Sequence, residues 1–387
     1  MSLKDLMERL AEFEPTEFPV ISLYLNAQAD STGRDNFGLF VRQELTNQAE
    51  TFGPHTPARE SFERDVERIN NYLAKEVRPS ANGIVVFACA GAGDFFEATQ
   101  LDVPIERNRL FVYHQPHLYP LARLMGQNPR YAVLLADTNS AQIFVFMRGQ
   151  MIDHEEVQNP KTKRTQVGGW SQMRYQRHTK NYHLHHAKEV IDALDRVVRE
   201  DKVEKIILSG DEETIIPLLR EQMPKHLTEK IVDVLNLSVK SPEHEVLEAT
   251  MQAMRVHQAT DDAEKVKQLL DEYRADGLAV VGVAATLAAL SNGQVEELLI
   301  SATMRGIRYD ERQVEKVMAA YAQGGTTPAA EASEPRTVAD ELVRRAEQMS
   351  SARVTFIEDE SLLASAGGAG ALLRYRITDQ PGGDNVG

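Results

Sequence analysis

The chain has 387 residues, enough for about two to four domains that each bury a core of their own. Its composition, 42% hydrophobic, 26% charged and 6% aromatic, is that of an ordinary globular protein. The formal net charge of −15 argues against general affinity for nucleic acid, because an acidic surface repels phosphate.

Several features point to the cytoplasm. A single cysteine, Cys89, excludes an internal disulfide framework and favours a reducing compartment. The N-terminus MSLKDLMERL carries acids where a secretory signal needs a basic region. The longest apolar run, Gly277 to Leu290, has 14 residues, whereas a membrane helix needs about 20. We therefore expect a cytoplasmic protein that contacts neither membrane nor DNA.

Residues 1–126 are predicted to form an N-terminal α/β domain. An amphipathic helix precedes a strand over 19–26, and a helix over 59–76 precedes a buried strand over 83–88 and extended segments to about residue 117. The run Gly91–Ala92–Gly93 has the start of a dinucleotide-binding loop, but Phe96 stands where its third glycine would be. This run predicts a turn between strands instead.

Residues 127–272 are predicted to form a middle domain. Two strands, 131–137 and 141–147, flank a turn at Asn139, and a long helix over 171–200 follows. A strand over 205–209, a helix over 213–222, a strand over 231–237 and helix over 242–271 complete the segment. Strands that alternate with helices predict a mostly parallel or mixed sheet.

Residues 273–387 are predicted to form a C-terminal α/β domain. A helix ending at Asn292–Gly293, strands over 295–301, 353–357 and 372–377, a helix over 338–348 and a glycine turn over 367–370 are expected. The segment 324–335 is predicted to be a flexible loop and the tail after residue 379 to be disordered. The overall prediction is three domains of the α/β and α+β classes.

A basic segment interrupts this acidic chain. From Val157 to Lys188, 32 residues contain seven Lys or Arg, four His and neither Asp nor Glu. Most charge runs are solvated faces, but this one surrounds two adjacent glycines, Gly168 and Gly169, which allow a close backbone approach to a ligand. Ser171 is placed to cap the following helix, and Arg174 and Arg177 share one of its faces. The pattern favours binding to a phosphate backbone.

The same residues carry a resemblance to a known family. Residues 168–177 read GGWSQMRYQR, and class-1 release factors of archaea and eukaryotes carry G-G-Q-S-x-x-R-F-x-R at their tip. VISLYLN and NGIVVFACA resemble the strands of that family's N-domain, and EKIILSG resembles a strand of its middle domain. GVAATLAALSNGQVEELLIS and GGAGALLRYRI resemble its third domain. The chain is similar to the bacterial and archaeal release-factor-like branch, whose members are predicted to be ribosome-rescue factors.

The resemblance implies a ribosome-associated factor that contacts rRNA and peptidyl-tRNA and that hydrolyses the peptidyl-tRNA or cleaves it in another way. In such factors the third tip residue directs its backbone N–H at the developing oxyanion. The implied catalytic residues, hereafter the tip, are Gly168, Gly169 and Trp170. The implied RNA-binding residues are Lys163, Arg164, Ser171, Arg174, Tyr175, Arg177 and Lys180. Neither a cofactor nor a metal is expected.

Departures from the family leave three functions open. Trp170 replaces the tip Gln, the codon-reading N-I-K-S and Y-x-C-x-x-x-F motifs are missing, and the third domain lacks the usual insertion. Codon-specific termination is therefore not expected, and contact with a translational GTPase stays open. The chain is a codon-independent peptidyl-tRNA hydrolase, a factor that cleaves the tRNA near its 3′ end, or a catalytically silent ribosome-binding protein.

Two further clusters have alternative interpretations. His178, His183, His185 and His186 crowd the long helix without H-E-x-x-H spacing or a cysteine, so RNA-facing or solvated histidines are expected rather than a zinc site. The acids Asp211, Glu212 and Glu213 stand before a helix, where carboxylates favourably cap an N-terminus. We interpret them as structural.

Overall fold

The computed structural model describes residues 3–28, 37–126, 130–147, 150–158, 172–321, 335–350 and 352–377. Helices accompany three separate sheets, one within each predicted segment, which confirms the mixed α/β fold class. The chain packs into two compact units, residues 1–127 with 263–387, and residues 128–262. The domain boundaries after residues 126 and 272 stay a prediction. Within the described residues, no helix has the length and apolarity needed to cross a membrane.

The N-terminal sheet is antiparallel, with strand order β3-β2-β1-β4. Its segment comprises α1 (Leu3–Ala11), β1 (Val20–Asn26), α2 (Gly38–Ala49), α3 (Pro57–Lys75), β2 (Gly83–Cys89), β3 (Phe95–Leu101), β4 (Arg109–Tyr113) and α4 (Tyr119–Gly126). Alternate residues of β1 and β2 pack against α2 and α3 on one face. The predicted turn is confirmed, since Gly91–Ala92–Gly93 connects β2 to β3 and Gly93 has φ 66°.

The middle sheet is mixed, with strand order β7-β6-β5-β8-β9. Its segment comprises β5 (Tyr131–Ala136), β6 (Ser140–Met147), β7 (Gln150–Gln158), α5 (Gln172–Glu200), β8 (Lys205–Ser209), α6 (Ile215–Gln222), α7 (Lys225–Thr228), β9 (Ile231–Leu235) and α8 (Glu243–Arg274). Strands β5, β8 and β9 are parallel, whereas β6 and β7 run antiparallel to their neighbours. The prediction missed β7, because this edge strand has four charged or histidine side chains in succession, Asp153 to Glu156, and forms through pairing with β6.

The C-terminal sheet has strand order β10-β13-β11-β12, with only β11 and β12 parallel among its described pairs. Its segment comprises β10 (Ala279–Val281), α9 (Val283–Ser291), β11 (Val295–Ser301), α10 (Glu311–Ala320), α11 (Pro335–Arg345), β12 (Arg353–Ile357) and β13 (Ala369–Leu373).

Two predicted elements of this segment are displaced. Strand β13 begins at Ala369 rather than residue 372, because Gly367 and Gly368, with φ 64° and 81°, suffice for the turn. Helix α11 begins at Pro335 and turns π-helical over Ala346–Ser350. The predicted loop over 324–335 lies outside the described residues except for Pro335, as does the tail after residue 379.

A buried polar network joins the start of the chain to α11. Arg344, 5% exposed, donates to the carbonyls of Leu10 at 3.1 Å, Ala11 at 2.8 Å and Pro116 at 3.1 Å. The last carbonyls of a helix have no partner within it, so Arg344 caps α1 from another segment. Nearby, Asp340 binds the ring of His117 through one oxygen and accepts the Tyr119 N–H at 2.8 Å through the other. These bonds fix the first and last parts of the chain in one unit.

A buried carboxylate in the N-terminal segment gives a pH-dependent prediction. Asp65 of α3 is fully buried, its Oδ2 accepts the Ala90 N–H at 2.9 Å, and burial raises its pKa to about 6. When the pKa of a carboxyl is higher in the folded than in the unfolded state, the folded protein loses stability as the pH rises from the unfolded to the folded pKa. We expect Asp65→Asn to raise the free energy of unfolding by about 1–2 kcal/mol at pH 7.5 and to change it little at pH 4.

Urea unfolding at both pH values measures this difference. The matched control is Glu67→Gln on the same helix, because Glu67 is exposed. An equal effect of Asp65→Asn at the two pH values would contradict the role assigned to this carboxyl.

Candidate nucleic-acid interface

Helix α5 carries the part of the basic segment that the structure describes. Its backbone is helical from Gln172, one residue after the predicted start. The positions of Arg174, Tyr175, Arg177 and Lys180 all lie within its first three turns. At a rise of about 1.5 Å per residue, the three cationic positions span about 9 Å of helix. Lys163, Arg164, the tip and Ser171 lie outside the described residues, so the roles of the site residues stay a prediction.

The C-terminal half of α5 is packed on the middle sheet. The apolar face predicted from the sequence is confirmed by its burial; it comprises Ala187, Val190, Ile191, Leu194, Val197 and Val198. These side chains form one core with alternate residues of β5, β6 and β8. This half of the helix is therefore the base from which the basic half extends.

Polar contacts hold the same half of α5 from two other sides. Asp195 Oδ1 binds Nε2 of His226 on α7 at 2.8 Å, and its Oδ2 accepts from Arg199 one helical turn on at 2.7 Å. Arg196 pairs with Glu155 of β7. These groups are mostly exposed, so each pair adds little stability but restricts rotation of the helix about its axis.

The turn between β5 and β6 contacts α5 where the packed face begins. Asp137 Oδ1 accepts the backbone N–H groups of Asn139 at 2.7 Å and Ser140 at 2.8 Å, which makes the turn rigid. The carbonyl of Thr138 lies 3.1 Å from Nδ1 of His183. Because a carbonyl only accepts, Nδ1 of His183 carries the proton.

The histidines do not all lie where the sequence predicted. His185 is exposed and forms an ion-pair contact with Glu189 at 3.2 Å, as a solvated histidine would. His186 is fully buried; burial lowers its pKa, and the backbone of Ser140 and Asp137 opposes this shift. His183 is half-buried against the turn. The expectation of RNA-facing or solvated rings is wrong for these two, because the spacing of three residues turns both toward β5 and β6.

The described residues do not provide a metal site for the histidine cluster. Across the described residues, no group of three or more His, Cys, Asp or Glu side chains is placed to hold a metal ion. The side chain of His178 lies outside the described part.

Asp211, the first acid of the run after β8, has the structural role predicted for it. Asp211 Oδ1 accepts the backbone N–H groups of Glu213 at 3.0 Å and Thr214 at 2.7 Å, and also the hydroxyl of Thr214. These bonds hold the turn before α6 and lower the pKa of Asp211, with the Thr214 hydroxyl the largest cause.

A helix packed at one end and basic at the other is suited to hold an anion. The N-terminus of a helix carries free N–H groups and a partial positive charge, and here Arg174 and Arg177 follow within two turns. Sequence alone indicated this charge pattern. The attachment of the helix to the β5–β6 turn was missed, because the partners are backbone carbonyls, which leave no residue signature.

These features define a mixed α/β protein with a basic helix that follows a glycine pair. The family model described as bacterial archaeo-eukaryotic release factor family 10 matches residues 116–255, and the model of eRF1 domain 3 matches residues 259–377. The two matches run consecutively over the middle and C-terminal segments. The chain belongs to the archaeo-eukaryotic release factor superfamily.

Individual relatives are distant. Peptide chain release factor subunit 1 of Archaeoglobus fulgidus is 22% identical over 401 residues, covering 96% of this chain and 97% of that protein. The crystal structure of the archaeal translation termination factor aRF1 is 16% identical with a TM-score of 0.27, covering 96% of this chain and 97% of that one. Archaeal Pelota, in a model of it bound to the ribosome with ABCE1, is 17% identical with a TM-score of 0.39, covering 97% and 95%.

Proposed function

We propose that the protein binds the ribosome and hydrolyses peptidyl-tRNA without reading a codon, as a rescue or termination factor. The proposal rests on the sequence GGWSQMRYQR, whose last six residues form the start of helix α5 in a chain of the release factor superfamily. The proposed partners are rRNA and peptidyl-tRNA. A GTPase partner is left open.

The proposed reaction is attack of water on the ester that joins the peptide to the tRNA. The water oxygen bonds to the carbonyl carbon, the bond to the ribose oxygen breaks, and that oxygen takes up a proton. The products are a free peptide and a deacylated tRNA. The backbone N–H of Trp170 is the proposed donor to the oxyanion of the intermediate, a contact that does not depend on the side chain. Gly168 and Gly169 give this backbone its freedom of approach.

Trp170 leaves two other activities possible, cleavage of the tRNA and binding without catalysis, because an indole cannot imitate the carboxamide of the tip Gln. The deciding experiment incubates the purified protein with stalled ribosome complexes and resolves the tRNA products. Free peptide with intact tRNA supports the proposal. A shortened tRNA would establish cleavage near the 3′ end instead, and binding without any product would establish a silent ribosome-binding protein.

The basic residues give a second test, based on salt. If Lys163, Arg164, Arg174, Arg177 and Lys180 bind RNA phosphates, ribosome affinity falls steeply as salt rises, because bound counterions are released. We expect the double variant Arg174→Glu, Arg177→Glu to bind weakly and to reduce the slope of log K against log salt by about 1.5 or more. Binding titrations at several salt concentrations measure the slope.

The control for this test is stability. Side chains that bind RNA must reach the solvent, and substitutions at exposed helix positions usually change the free energy of unfolding by no more than about 0.5 kcal/mol. If the proposed contacts are right, the double variant should therefore melt close to the wild type. Arg220→Glu, on the exposed face of α6, is the matched charge change outside the basic segment. Salt-independent binding, or an equal loss in Arg220→Glu, would contradict the proposed contacts.

A further inference from the structure

Helix α5 changes its surroundings at His183. On the C-terminal side, the buried face starts at His186 and Ala187 and continues through Val198 into the core of the unit. On the N-terminal side, 11 further helical positions, 172–182, lead back to the tip. The two rings that contact the β5–β6 turn therefore lie at the point where the packed helix becomes the carrier of the basic residues.

We infer that His183, His186 and the turn Asp137–Ser140 form a latch that sets the direction of the basic half of α5. Its functional consequence rests on the proposed function, because the direction of α5 matters only if the tip must reach a defined place. Both histidines act through the helix and are positioning residues.

The turn is suited to this role because it is held independently of α5. Besides the two bonds to Asp137 Oδ1, the Asp137 N–H donates to the Ser140 carbonyl at 2.9 Å, and Asn139 Nδ2 donates to the Thr138 hydroxyl at 3.0 Å. The turn also closes the antiparallel pair of β5 and β6, whose apolar residues are buried. A hydrogen bond to this turn therefore ties α5 to a segment that its own hydrogen bonds hold in place.

The two rings are suited to set the direction of α5 because they meet the turn at two positions along the helix axis. His183 binds the Thr138 carbonyl at 3.1 Å, and His186, three residues on, is fully buried beside Ser140 and Asp137 of the same turn. Two contacts about 4.5 Å apart along the axis resist tilting, whereas one contact would act as a hinge. The exposed His185 lies between them in sequence and contacts Glu189 of its own helix instead.

A small tilt of α5 at the latch would move the N-terminal end of the helix by several ångströms. From His183 to Gln172 the helix extends about 16 Å, so a tilt of about 10° at the latch displaces its first residue by about 3 Å. A misplacement of about 1 Å can slow a positioned reaction by about 100-fold. Loss of the latch should therefore reduce the rate of the chemical step and leave the charge that binds RNA unchanged.

The test measures helix direction and catalysis separately. One nitroxide label is placed on Gln176→Cys in α5 and the other on Glu221→Cys at the exposed side of α6. The distance between the labels reports the direction of the basic half of α5 relative to α6. Cys89 stays unlabelled, because its thiol is fully buried and burial raises its pKa to about 11. The variants are His183→Ala, His183→Asn, His186→Phe and, as matched control, His185→Ala.

We expect His183→Ala and His186→Phe to broaden or shift the distance distribution by about 3 Å and to slow single-turnover peptide release by about 10- to 100-fold at unchanged ribosome affinity. His183→Asn keeps a donor near the position of Nδ1 and should restore both quantities, and His185→Ala should match the wild type. A general loss of stability would not be rescued by Asn and would appear in the melting temperature.

Two results are distinguishable. Unchanged distances in His183→Ala and His186→Phe overturn the latch, whatever the activity. Altered distances with a wild type that releases no peptide support the latch and overturn the proposed hydrolysis. Should His183→Ala fail to fold, the comparison of His186→Phe with the wild type and His185→Ala decides in the same way.

Discussion

Replacing Gly169 by Ala is expected to reduce peptide release by about 100- to 1,000-fold, the loss that follows removal of one oxyanion donor. A Cβ at residue 169 disfavours positive φ, which glycine alone adopts readily, and so removes conformations that the proposed mechanism needs to direct the Trp170 N–H at the reacting carbonyl. Single-turnover release from one stalled ribosome complex measures the effect. The matched control is Gly53→Ala, an exposed glycine in the N-terminal segment where a Cβ meets only the Thr56 methyl, at 3.2 Å.

Variants of Trp170 separate the backbone from the side chain. If the backbone N–H is the catalytic group, Trp170→Gln keeps or raises the rate of release. If the indole is instead a stacking anchor, Trp170→Ala loses about 1–3 kcal/mol of ribosome affinity, the value of one base–aromatic contact, and release is negligible throughout. Normal release by Gly169→Ala, with an active wild type, would place the active site outside the tip.

Replacing Arg344 by Met should lower the free energy of unfolding by about 3–4 kcal/mol, because buried carbonyls at the end of α1 and at Pro116 would lose their donor. Met keeps an unbranched apolar stem but lacks the guanidinium, so the loss combines the missing hydrogen bonds with the space that the guanidinium leaves. Arg344→Lys keeps the charge but cannot bridge α1 and Pro116 with a planar fork, and we expect an intermediate loss.

Chemical unfolding of the purified variants measures these differences. The control is Arg312→Met on the exposed side of α10, which should change the free energy of unfolding by no more than about 0.5 kcal/mol. If Arg344→Met unfolds like this control, the network between α1, His117 and α11 does not stabilise the unit.

Much of the fold could be predicted because its strands are strongly apolar and short. The strands at Lys205–Ser209, Val295–Ser301 and Arg353–Ile357 lie where the pattern put them, and α5 starts within one residue of its predicted start. Buried strands of this kind are bounded by turn residues that appear in the sequence itself. Strand β7 was missed because an edge strand needs only one partner and tolerates charge on its surface.

The sequence by itself determined the superfamily resemblance, the basic segment and the residues proposed to act, since these depend on residue type and spacing along the chain. Tertiary structure decided what surrounds them. The sequence predicted RNA-facing or solvated rings for His183 and His186. Instead, His183 contacts the backbone carbonyl of Thr138, 45 residues earlier, and His186 is buried beside the same turn. Arginines are mostly exposed in proteins, yet Arg344 is buried against the end of α1. Backbone carbonyls are the same in every residue, so contacts made to them cannot be foreseen from side-chain patterns.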